Sequence, residues 1–451
     1  MGLPPMNTPY NKILLAALIW GAPLCAGAQG LTFSGLMLPA VPETPPASSG
    51  LQTVYVLPYI QGVTAEYSGN GDAVSWQRFS KLGGGYAEPV ASTQSGNVST
   101  LTTLEANMGY IVTEGSKSSF FWVIDYSTFP MGLRDLTLST ESDCSTTWLD
   151  VDGNGEALTY YTINGVPQHL DRQFTLSYRT LEFDEADFAY RQVTHEENLV
   201  EISERIHCTP TLCETDFTLS GDKFARIWGE EESVTSPVYE PTAVEVKTRA
   251  VQSERDVDNE IKEETALGGS GPAEITFTAA LTDAAIYHEW ELARDPEFNQ
   301  TFLRFSEPEF TYTFREQGTT YVRMLAANDV GGCETQGDVY EVYIGESSLK
   351  CPNAFSPGTS EGVNDEWKVS YKSIIEFDCH IFDRNGRQLA HLTDPSQGWD
   401  GKIKGKTAPA GVYFYVIRAK GTDGKKYNLS GDINIIGYRK GNATTDGTDG
   451  L

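Results

Sequence analysis

Histidine is scarce in this chain, with six in 451 residues, at positions 169, 195, 207, 288, 380 and 391. His195-Glu196 and His288-Glu289 lack the second histidine, four residues on along a helix, that a zinc-protease motif requires. There is no G-x-S-x-G elbow, no P-loop, and no G-x-G-x-x-G leading from a strand into a helix. No C-x-x-C pair has a second partner, which argues against a structural zinc site. No apolar run reaches the roughly 20 residues a membrane-spanning helix needs. Basic residues are short as well, 33 Lys+Arg against 62 Asp+Glu, for a net charge of −29. Such a balance repels nucleic acid and anionic headgroups. Helical heptads are missing. The expectation is a chain that is not an enzyme and carries no metal and no cofactor.

What is present points to β modules. There are 43 Gly, 22 Tyr and many short alternating apolar runs, in a chain too long for a single core. Lys12, the apolar stretch Ile13 to Leu24 and Ala26-Gly27-Ala28 read as a signal peptide over 1–28, cleaved between Ala28 and Gln29 and directing export through Sec. Cys25 does not make it a lipoprotein signal, because no small residue precedes it. Residues 29–50, Pro/Ser-rich over 38–50, read as a flexible lead-in. A first β-sandwich is expected over 51–145, with Phe120–Tyr126 (FFWVIDY) as a buried strand and Trp76 as a core tryptophan of an immunoglobulin-like module. A second β module follows over 146–241, and 242–272 reads as a strand running into a charged linker.

Residues 273–347 alternate clearly. In GTTYVRMLAANDVG, Val322, Met324, Ala326 and Asn328 fall in register with the closing strands of PKD-type domains, which this stretch resembles. Thr320 stands where that pattern has Tyr. Asp150–Gly155 (DVDGNG) matches the first half of an EF-hand loop. Position 12 is Tyr161 rather than a bidentate Glu, so a Gly-rich turn without calcium is expected. Three of the cysteines lie outside the last two modules, Cys144, Cys208 and Cys213. With Cys333, Cys351 and Cys379 they make six after signal removal, which permits 15 pairings. The candidate disulfide is Cys351–Cys379, against the alternative that these thiols stay reduced and buried.

The final module decides the reading. Ile375, Phe377, Cys379 and Ile381 alternate with polar residues, Asn385-Gly386 offers a two-residue hairpin turn, and Asp423-Gly424 another before Asn428–Ile436. Over 351–437 the charge is nearly balanced, 11 basic against 10 acidic, whereas the remainder holds 22 basic and 52 acidic. The ordered motifs Pro352–Phe355, Val363-Asn364-Asp365, Ile381–Gly386, Trp399–Gly401 and Pro409–Tyr415 closely resemble the gliding motility-associated C-terminal domain, the type B sorting domain of type IX secretion. The motif residues are Pro352, Asn353, Phe355, Asn364, Asp365, Arg384, Gly386, Trp399, Asp400, Gly401, Gly411, Tyr413 and Gly431. The family's Asn-Gly-Asp-Gly segment is replaced by Gly358–Gly362, so no calcium site is carried over.

The resemblance implies an all-β chain of tandem immunoglobulin-like and PKD-like sandwiches ending in a β-sandwich sorting domain at 351–437, with a disordered tail at 438–451. It implies a secreted or cell-surface protein whose last domain docks to an outer-membrane protein of the type IX secretion or gliding machinery. Two alternatives from other classes are an accessory or signalling component of that apparatus, and a hydrolase hidden in 146–241.

Overall fold

The computed structural model describes residues 30–329, 332–358 and 362–436. The signal peptide and the tail lie outside them. Almost all regular structure among the described residues is β-strand, grouped into successive sandwiches.

The first sandwich packs a four-stranded sheet (Leu31–Ser34, Thr64–Ser68, Val98–Leu101, Thr93–Ser95) on a six-stranded one. In the latter, Lys117–Asp125 is central, parallel to Thr53–Leu57 and antiparallel to Met108–Glu114. Its apolar run is continuous because both faces are buried. Phe121 and Val123 enter the core between the sheets with Trp76 and Tyr110. Trp122 and Ile124 face the other way, onto Leu158, Tyr160, Leu170, Phe224 and Trp228 of the next module. Trp76 is buried and its indole N–H donates to Ser99 Oγ at 2.9 Å. The lead-in is not flexible. Leu31–Ser34 and Val41–Glu43 are strands of this sandwich, and Pro39 O accepts a hydrogen bond from Trp228 Nε1. Proline at sheet edges is compatible with strand pairing, which composition alone does not reveal.

The second module starts before 146, since Gly132–Leu138 pairs with Thr147–Asn154, and it builds its core from Leu136, Leu149, Phe174, Leu176, Phe217 and Leu219. Asp150–Gly155 is not a turn. Asp150 and Asp152 lie on the strand Thr147–Asn154 and pair with Arg205 and Arg134. The short helix Lys223–Trp228 is capped by Asp222, which accepts from Ala225 N–H, and ends at Gly229 in the left-handed region. Asp222 also meets Arg172 at 2.5 Å, both side chains fully buried. Tyr126 of the first sandwich donates to the same carboxylate and accepts from Arg172. The first two modules therefore share an apolar core and a buried ionic knot.

The third sandwich packs Val246–Gln252, Ala273–Leu281 and Glu309–Phe314 against the sheet containing Tyr287–Ala293 and Gly318–Ala327. Val322, Met324 and Ala326 point into its core beside Trp290 and Phe277, and Asn328 is buried at the end of the run. Residues 242–272 are not a solvated linker. After the strand Val246–Gln252 the chain becomes a strap across the last domain. Ile261 N–H donates to Tyr371 O, and Tyr371 N–H donates to Asn259 O. Asn259 Nδ2 reaches Val369 O and Pro395 O, and Val257 packs on that domain's core. Lys368–Asp258 and Lys372–Glu263 ion pairs flank it. The strap's charges have partners there, so its polarity does not mark a linker.

The disulfide joins Cys144 to Cys333, tying the second module to the third. Cys351 and Cys379 are free thiols, which corrects the expected pairing. Cys379 projects into the core of its own sheet beside Ile417, while Cys351 sits by Tyr415, outside the regular strands. Pairing by proximity to a domain edge fails because the bonded partners are 189 residues apart and meet only through module packing.

Candidate functional site

The last domain is a five-stranded sheet ordered Ala354–Phe355, Lys426–Ile435, Gly411–Gly421, Ile374–Phe382, Gln388–Leu392, closed over by short two-stranded ribbons. A register shift between Ile374 and Glu376 places Ile374 in the core rather than Ile375. From Phe377 onward the expected alternation holds, with Phe377, Cys379 and Ile381 inward.

Three motif aromatics converge on one knot. Trp399 is 3% exposed, its ring 5.6 Å from Phe355 and 5.3 Å from Tyr413. Its backbone exchanges hydrogen bonds with Trp367 at 2.9 and 3.0 Å, and Trp367 Nε1 donates to Pro352 O. Gly401 has φ +67°, and a Cβ there would stand 3.0 Å from the Phe355 ring, so glycine is needed for conformation and for space. Asp400 receives Lys402 N–H at 2.9 Å and turns the chain. Tyr413 O–H donates to Pro409 O, Asn353 O accepts from Asn434 N–H, and a Cβ on Gly431 would meet the Tyr415 hydroxyl at 2.7 Å. Asp365 accepts from Gly358 and Gly362 N–H, and Asn364 sits at φ +54°, so this carboxylate closes a loop. Arg384 and Gly386 stand apart from the knot, at a hairpin tip held by Asp383, whose carboxylate takes Asn385 and Arg387 N–H. Gly411 opens the long central strand. The motif is therefore a folding signature: Phe355, Trp399, Gly401 and Tyr413 pack inward, while Asn364, Asp365, Gly386 and Asp400 shape turns.

The opposite face of the sheet is turned outward. Val412, Phe414 and Val416 are 42–47% exposed there, with Tyr413 and Ile417 turned inward. In register beside them lie Phe382 and His380. His380 faces His391 across the hairpin, and Asp378 sits two residues before His380 on the same face. The His380 and His391 rings stack 4.3 Å apart and 6° from parallel. Both Nε2 atoms point at Asp378 Oδ1, at 3.3 and 2.6 Å, and the His391 hydrogen bond holds the carboxyl below its ordinary pKa. Sequence reading set these histidines aside. The Asn385-Gly386 turn was a usable signal: counting outward from it pairs His380 with His391, as observed, and the bulge at Phe382 lies closer to the turn.

Two buried thiols and three further histidines have structural surroundings. Burial pushes the Cys208 and Cys379 thiols up to about 12, which disfavours the thiolate a nucleophile requires. His195 lies beside Glu197, His207 stacks on Trp148, and His288 contacts Ala285 O. In the second module Asp184 pairs with Arg191, and Glu231 with Arg226.

Comparison with known families places two of these units. Residues 137–236 match the fibronectin type III domain model, and residues 349–435 match the CHU_C type IX secretion signal domain model. No curated protein matches the chain. Among solved structures, a tetra-tandem repeat from the extending region of a large adhesion protein is 13% identical, with 84% of this chain and 96% of that one covered, at a TM-score of 0.21. Fibronectin(III)-like modules of Clostridium thermocellum CbhA are 12% identical over 42% of this chain and 95% of theirs, at 0.17. Latent dimeric PorU from Porphyromonas gingivalis is 11% identical over 71% of this chain and 35% of its own, at 0.15. At these scores no functional argument passes from them. Residues 349–435 are a type IX secretion signal domain set behind a fibronectin type III domain, which marks this all-β chain for export by the type IX secretion system.

Proposed function

We propose that the chain is a non-enzymatic surface or secreted protein, carried into the periplasm by Sec through residues 1–28 and across the outer membrane by its C-terminal domain. The domain docks to an outer-membrane protein of the type IX machinery. The observation behind this reading is the two-sided build of the last sheet. The motif aromatics Phe355, Trp399 and Tyr413 pack on its inner face, and the outer face leaves Val412, Phe414 and Val416 in solvent. Exposed aromatic and branched side chains grouped on one face are the usual raw material of a docking surface. The upstream sandwiches, cross-linked by Cys144–Cys333 and knotted by Arg172 and Asp222, are the displayed body.

The test is Phe414→Asp with Val416→Asp in the full chain, followed by fractionation. Both side chains point outward, so the core stays intact. Retention of the folded variant in the periplasm is expected. Surface display equal to the unsubstituted chain would exclude this face as the docking site.

A further inference from the structure

We propose that Asp378, His380 and His391 form a binding site for a divalent transition-metal ion of the zinc class. One ligand atom from each lies within 4.8 Å of the other two, and this is the one such trio among the described residues. The geometry comes from the sheet itself. Alternation puts Asp378 and His380 on one face, and the antiparallel register sets His391 directly opposite His380. Stacking turns both rings the same way, so the two Nε2 atoms converge on a single carboxylate oxygen.

A tetrahedral ion with bonds of about 2.0–2.1 Å separates its ligands by roughly 3.3 Å. His380 Nε2 and Asp378 Oδ1 are already 3.3 Å apart, and the 2.6 Å His391 contact needs only a small outward rotation of an exposed ring. Entry of the ion displaces the proton that His391 and Asp378 now share. Two imidazoles and one carboxylate select zinc, copper or nickel over calcium or magnesium, which take oxygen donors. The fourth position opens to solvent, where water completes the shell.

His380 Nδ1 is shielded and has no hydrogen-bond partner among the described residues, so nothing behind that ring strengthens it as a ligand. Binding weaker than at a closed structural site follows. The bound ion would bridge Ile374–Phe382 to the edge strand Gln388–Leu392, whose pairing covers only Cys379 to Phe382. It would pin the edge of the secretion-signal sheet. The site rests on these side chains alone and stands or falls independently of the docking reading.

Zinc chloride titrated by calorimetry into the untagged full chain should show one saturable equivalent, undisturbed by equimolar calcium chloride. His391→Ala should weaken it by about tenfold or more, since even supporting residues of metal sites cost that much. Zinc should raise the melting midpoint of the C-terminal domain's transition in the unsubstituted chain and not in His391→Ala. His391 is exposed, so the zinc-free melt of that variant should match the parent and exclude a folding defect. Asp378→Asn should weaken binding while retaining both rings. Absence of saturable zinc uptake, or uptake unchanged in His391→Ala and Asp378→Asn alike, overturns the proposal.

Discussion

Truncating Trp399 to alanine tests whether the family motif of the last domain is a folding device. Its ring is 3% exposed and packs tilted against Phe355 and edge-on to Tyr413, while Nε1 donates to Lys402 O at 3.3 Å. Removal of a large core aromatic costs about 3–5 kcal/mol, a range that already contains the lost ring contacts and the cavity. Domain stabilities run to about 5–15 kcal/mol, so the substitution removes roughly a fifth or more of what is available. A melt of the full chain is a poor readout, because several modules unfold and the two-state assumption fails. Amide exchange resolved to Gly411–Ile435 is better, since these central strands open only with the whole domain. At tenfold per 1.4 kcal/mol, exchange there should accelerate by roughly 100-fold to 1,000-fold or more. Strands of the first sandwich, such as Lys117–Asp125, should keep their protection. Trp399→Phe retains most of the packing and should show a much smaller change. Protection of Gly411–Ile435 unaltered in Trp399→Ala would refute the knot.

Two further outcomes follow from the same contacts. Asp222→Ala leaves the Arg172 guanidinium buried without its carboxylate and removes a helix cap, and should destabilise the paired first and second modules by about 3–5 kcal/mol. Adding Arg172→Met should recover part of that loss, and a double-mutant cycle with purely additive effects would contradict the buried pair. Peptide mapping without reductant should yield Cys144 joined to Cys333, while burial keeps the Cys351 and Cys379 thiols high in pKa and inert to iodoacetamide at pH 8 until the domain unfolds. Rapid alkylation of Cys379 in the native chain, or a Cys351–Cys379 peptide, would contradict the arrangement.

Local patterning was the legible part of this fold. The continuous apolar run Phe120–Tyr126 reads as a strand buried on both faces, and Val322 to Asn328 alternates as it packs. The ordered motifs of the last domain are legible because each is a local solution to a turn or an aromatic contact: Gly401 under Phe355, Gly386 in its hairpin. What escaped is long-range. The charges of residues 253–267 resemble a linker because Lys368 and Lys372, the partners of Asp258 and Glu263, lie about a hundred residues further on. Cys144 finds Cys333 only when modules two and three pack. His380 and His391 are the exception, because counting outward from the Asn385-Gly386 turn pairs them and alternation puts Asp378 on the same face. The lead-in was misjudged on composition, since three- and four-residue strands contain too little sequence to show a period.

The central claim, that the last domain carries the chain across the outer membrane, is tested most directly by transplanting it. Because the strap of residues 253–270 completes that domain, the transplanted piece should be 242–436 rather than 349–436. A reporter exported by Sec and fused ahead of 242–436, expressed in a bacterium with an active type IX system, should become accessible to protease on intact cells. A reporter that remains in the periplasm, while exchange shows Gly411–Ile435 protected and therefore folded, would contradict the account.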